Sequence, residues 1–138
     1  MIVSLHVATG AAAGALAGSR ARALALGPVL HLAGDRMPHQ DIASRRFEIA
    51  SGVVAVAALA VRRGPLDPAV VGALSAAAPD LEHVLHLPRP RGRKLFPSHR
   101  VRGLHRAGGV PVWAQLLTAG VLLGTLIAPR PRSRGRTS

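Results

Sequence analysis

Five stretches of almost uninterrupted apolar residues divide the chain, and the breaks between them carry its charge, proline and glycine. The first runs from about Val3 to Gly18 and is closed by Ser19-Arg20-Ala21-Arg22. The second runs from about Ala23 to Gly34, with Pro28 placed to kink it or reset its start. The third runs from about Ala43 to Val61, with Ser44 as a cap and Arg62-Arg63-Gly64-Pro65 as a stop. The fourth runs from about Pro68 to Ala78, where Asp67 suits an N-cap and Pro68 the first helical position. The fifth runs from about Gly108 to Ala128 and meets Pro129. Strand-type alternation is absent and Ala is abundant, so the pattern predicts an all-α chain of about five helices.

The helices are apolar all round and rich in Gly and Ala, which suits close packing in lipid. Segment five meets the ~20 residues a membrane span requires, and segments one and three come close. Segments two and four would be half-spans shielded by the longer helices. The expectation is a small up-down bundle embedded in a bacterial-type inner (cytoplasmic) membrane as a multi-pass protein. It forms one domain over residues 1–128, followed by a disordered basic tail over 129–138. The N-terminus resembles a signal peptide in Ala15-Leu16-Ala17 but lacks a basic n-region, and is read as a retained helix.

Composition narrows the chemistry. The formal charge of +12, from 18 Lys and Arg against six acids, suits an anionic membrane surface or nucleic acid. The scarcity of stacking aromatics and the lack of zinc-finger spacing disfavour nucleic acid. With no cysteine, a metal would be held by His, Asp or Glu.

The seven histidines are placed for that. In an up-down order, His6 begins segment one, while His31, Asp35, His39 and Asp41 end segment two. Asp80, Glu82, His83 and His86 follow segment four, and His99 and His105 precede segment five. All seven histidines then fall at one end of the bundle. Among the acids Asp67 lies at the other end and Glu48 inside segment three. Imidazoles and carboxylates converging at the edge of an apolar bundle suit a divalent metal, zinc first, with manganese or iron as alternatives. His31 and Asp35, at i and i+4, share a helix face, and Pro38 lets His39 turn back toward them. The metal candidates are His6, His31, Asp35, His39, Asp80, His83, His99 and His105, with Asp41 orienting an imidazole. Glu82 is a bridging ligand, a general base or a solvent-facing acid, and Arg100, next to His99, would orient an anionic group. The structural alternatives are a core histidine at His6, a turn at Asp80, and a polar loop at His99 and His105.

His6 in an apolar helix, Pro79-Asp80-Leu81-Glu82-His83, and Ser98-His99-Arg100 followed by His105 together resemble the small bacterial membrane-bound predicted metal-dependent hydrolases. That family has Asp where Glu82 stands, and its last two histidines are one residue closer. More distantly, His31-Leu32-Ala33-Gly34-Asp35 with His39 is similar to the zinc-dependent phospholipases C and related single-strand nucleases. The resemblances imply a helical metallohydrolase acting on a phosphoester or lipid-derived substrate. The rival expectation is a non-enzymatic membrane protein with a structural metal that binds anionic lipid or a protein partner.

Overall fold

The computed structural model describes residues 1–85, 88–101, 103–104 and 106–129. His86, Arg102, His105 and the tail over 130–138 lie outside the described residues. The described chain is all-helical, with no strand among its residues. Five long helices match the five apolar segments: α1 (Val3–Ala17), α2 (Arg20–Arg36), α3 (Arg45–Arg63), α4 (Pro68–Ala77) and, last in the chain, α7 (Val112–Ile127). Between α4 and α7 a 3₁₀ turn (Ala78–Asp80) leads into two single-turn helices, α5 (Leu81–Val84) and α6 (Pro97–Arg100).

The punctuation works as local chemistry requires. Gly18 ends α1 in the left-handed region at φ 63°. The Ser44 hydroxyl accepts the Phe47 N–H, and the Asp67 carboxylate accepts the Ala69 N–H at 2.8 Å ahead of Pro68. Pro28 neither resets nor ends α2, which begins earlier than the apolar pattern predicts, at Arg20. A proline leaves the carbonyl four residues back without its helical donor. That carbonyl, on Leu24, accepts the Ser75 hydroxyl of α4 at 2.7 Å.

α1 is the central helix and packs against α2, α3, α4 and α7. Its contact with α4 is close because both sides lack a side chain. A Cβ at Gly72 would lie 2.3 Å from the Gly10 carbonyl oxygen. The main core joins Val7 and Ala11 of α1 to Leu59 of α3 and Val70 and Ala73 of α4. A second core sets Ile2, Leu5 and Ala8 against Ala119 of α7. Small residues thus stand where a core would ordinarily carry aromatics.

No helix among the described residues is long and apolar enough to cross a membrane. α1 and α7 have 15 and 16 residues, roughly 23 Å at ~1.5 Å per residue, against a hydrocarbon core of ~30 Å. α3 is longer, but Arg45, Arg46 and Glu48 charge one end and Arg62 and Arg63 the other. Large apolar side chains are nonetheless exposed, among them Leu16, Val29, Val53, Val61, Trp113 and Val121.

Candidate metal centre

The bundle order brings five chain segments to one end. His6 lies at the start of α1, and His31 and Asp35 lie on the last two turns of α2. Asp80 closes the 3₁₀ turn after α4, α5 carries Glu82 and His83, and α6 carries Ser98 and His99. His6, His31 and Asp35 are fully buried. Among the described residues, three overlapping groups have donor atoms within 4.8 Å of one another: His6, His31 and Asp80; His31, Asp35 and His99; and Asp80, His83 and His99.

Outward hydrogen bonds decide which ring nitrogens point inward with lone pairs. The His31 Nδ1–H donates to the Ala76 carbonyl at 2.8 Å, so its Nε2 carries no proton when the ring is neutral. The His99 Nδ1–H donates to Glu82 Oε1 at 2.5 Å, with the same result. The two Nε2 atoms then face each other at 3.4 Å. Asp35 Oδ2 lies 3.2 Å from the first and 3.5 Å from the second, and Asp80 Oδ1 lies 3.7 and 3.6 Å from them. Lone pairs and carboxylate oxygens packed this way repel unless a positive ion, proton or metal, stands among them. Neighbouring donors around a tetrahedral zinc with ~2.0–2.1 Å bonds are ~3.3 Å apart, which the His31–Asp35–His99 triangle matches. Two further atoms support the fit: His6 Nδ1 and Asp80 Oδ2 are buried with no hydrogen-bond partner.

The surroundings hold this set in place. Ser98 Oγ donates to Asp35 Oδ2 at 2.6 Å, and His6 Nε2 donates to Asp35 Oδ1 at 3.2 Å. The Met1 ammonium donates to the same oxygen at 2.9 Å. The His6 and His31 rings stack at 3.8 Å. Burial would raise the Asp35 carboxyl, but hydrogen bonds from His31, His6, His99 and Ser98 hold it well below the usual range. Burial pushes His6 down to about 3, against the opposing bond to Asp35. Desolvation at the rim, with His99 and Lys94 alongside, pushes His83 down to about 4. Burial would lower His99, yet its bonds to Asp35 and Glu82 raise it. Burial raises Asp80, against the pull of His31 and His99.

An open cleft of about 660 Å³ reaches this cluster, with Asp35, Asp80, His83, Ser98 and His99 on its wall. Three sequence expectations change here. Glu82, expected as a bridging ligand, a general base or a solvent-facing acid, does not line the cleft. Its carboxylate is buried against His99 and takes the Leu95 N–H at 2.6 Å, and these partners hold it below the usual range although burial alone would raise it. Arg100 is exposed and does not line the cleft, because on the single turn of α6 it points away from its neighbour His99. His39 is buried but outside the three donor groups. Its Nδ1–H donates to the Met37 carbonyl, its Nε2 meets the Met1 ammonium, and its backbone is stitched to residues 106–110. Asp41 lies 3.1 Å from His39 Nε2, and His105 is outside the described residues.

Four further residues shape the site without belonging to any motif in the sequence. Arg45 and Lys94 line the cleft, Lys94 donating to His83 Nδ1 at 3.0 Å and Arg45 to the His83 carbonyl. Glu48, in the first turn of α3, accepts the Val3 N–H at 2.7 Å and so caps α1 from the site end. Gln115 is buried and ties Ile2, Gln40 and Val110 to the start of α7. A polar residue inside an apolar run was the available signal for Gln115.

Compared with family models, with curated proteins and with solved structures, the chain finds no match.

Proposed function

We propose that this protein is a metal-dependent hydrolase whose ion is held by His31, Asp35 and His99, with Asp80 beside them, and whose substrate is an anionic phosphoester. The observation that carries the reading is the pair of imidazole Nε2 atoms 3.4 Å apart, each on a ring whose Nδ1 is held by an outward partner and each facing carboxylate oxygens. A nitrogen and oxygen donor set of this size favours zinc, with manganese or iron as alternatives. Such an ion supplies Lewis acidity toward a phosphoryl oxygen and lowers the pKa of water.

The chain's own groups do the rest. Glu82 fixes the tautomer and angle of His99, and Ser98 fixes Asp35. Asp80 lines the cleft beside these ligands, placing a carboxylate where it could accept a proton from water. Arg45 and Lys94 on the cleft wall attract and orient the phosphate. The exposed apolar side chains, flanked by basic residues, would seat the bundle in the membrane. The likeness to the small bacterial membrane-bound predicted metal-dependent hydrolases agrees in chemistry.

Elemental analysis of the purified full chain, beside the His31→Ala/Asp35→Asn double variant, tests this. Stoichiometric zinc in the parent, absent from the variant, together with turnover of a phosphomonoester, phosphodiester or phospholipid, is the expected result. No metal in the parent after reconstitution overturns it. Metal without turnover across that panel would leave a structural ion in a lipid- or protein-binding bundle.

A further inference from the structure

The cleft does not stop at its polar groups. Its wall shares Val3, Ile49, Asp80 and Val84 with a second cavity of about 370 Å³. That cavity runs along α3 between α1 and α4, and its lining is almost wholly apolar. Gly52 lets α3 approach α1 there, since a Cβ at that position would lie 2.7 Å from Val3 Cγ1. From Ile49 to Ala57 the groove follows nine residues of helix, whose eight steps span about 12 Å at ~1.5 Å per residue. At the other end stand two cations, Arg45 and Lys94, beside the candidate ligands. The same wall carries Asp35, Asp41, Glu48 and Asp80, so a bound ion is needed beside Arg45 and Lys94 for this end to hold an anion, while the other end is a hydrocarbon-lined trough.

We infer that cleft and groove form one site for an amphiphile, with an anionic phosphate head held at Arg45, Lys94 and the ion, and one alkyl chain laid along α3 toward Ala57. The inference rests on the hydrolase reading for the chemistry at the head, but the groove makes its own claim. Affinity should rise with chain length up to the length of the trough, because each buried methylene adds apolar area removed from water. A head without a chain should bind weakly, and so should a chain without a head.

Titration calorimetry on the full chain would use dodecyl phosphate, butyl phosphate, dodecanol and inorganic phosphate, each below its micellar concentration. Dodecyl phosphate should bind at least about tenfold more tightly than any of the other three. Ala57→Phe, which puts a ring into the trough from an exposed position, should weaken dodecyl phosphate about tenfold and leave butyl phosphate unchanged. Val121→Phe, on the exposed side of α7, should change neither. A dodecyl phosphate with a photoreactive diazirine at the chain end, used on the parent protein, needs no variant to fold. Its adducts should map to residues 53–57 and 74–77. Adducts spread over α7, equal affinity for both chain lengths, or dodecanol binding as tightly as dodecyl phosphate would overturn the inference. Chain-selective binding without hydrolysis would leave the groove standing and remove the hydrolase. Hydrolysis indifferent to chain length would do the reverse.

Discussion

His99 depends on a carboxylate that never reaches the cleft. Glu82 takes the Nδ1 proton of His99 and the amides of Leu95 and Phe96, so it sets the ring's tautomer and its position together. Glu82→Gln keeps the size of the side chain but loses the charge that favours the Nδ1–H form. Partners of this kind are worth about 10–100-fold in metal affinity, and a loss in that range is expected in a competition titration against a chromophoric zinc chelator. An unchanged affinity would mean that His99 is no ligand. The sequence made His31 and Asp35 visible because four residues on a helix return to one face. It could not show the role of Glu82, which arises only when residues 95–99 fold back over α5, a contact with no local signature. The same limit explains the exchange of Arg100 for Arg45 and Lys94 as the cationic side chains at the cleft. Adjacency to His99 in sequence pointed to Arg100, but neighbours on a helical turn diverge by about 100°.

At the level of helices, the continuation of α2 through Pro28 rests on one borrowed donor. Ser75→Ala removes the hydroxyl that satisfies the Leu24 carbonyl and should cost about 1 kcal/mol in chemical denaturation. In a Pro28→Ala background the helix supplies its own N–H to that carbonyl, so the same Ser75 change should cost less. The difference across the double-mutant cycle isolates the bond, and a cycle that sums to zero would assign the continuity of α2 to packing alone. The five apolar segments, the Ser44 and Asp67 caps and the stop at Gly18 were legible because each is written within a few residues. The uninterrupted α2 was not, since its rescue comes from a residue 51 positions away. Membrane spans were read from apolar run length. Flanking charge and helix length, taken together, leave no described helix that meets the requirement.

For the molecule as a whole, the centre ties α1, α2, α5 and α6 into one unit, and an ion bound there should stabilise all of them together. Zinc at about a hundredfold excess over its Kd contributes roughly 2.7 kcal/mol, an upward Tm shift on the order of 10 °C for a chain of this size. Chelation should reverse it, and a melting curve indifferent to zinc and chelator alike would place no ion in the folded bundle. The donors come from widely separated parts of the chain, with His6 near its start and His99 more than two-thirds of the way along. A growing polypeptide therefore carries α1 to α4 well before it carries a complete ligand set. An ion bound there would join helices already made and would not seed the bundle, and α7 follows the last of the ligands. A product cut short ahead of α6 would keep the core shared by α1, α3 and α4 but lose His99 together with the packing of α7 on α1, so metal binding would report on the chain only as far as His99.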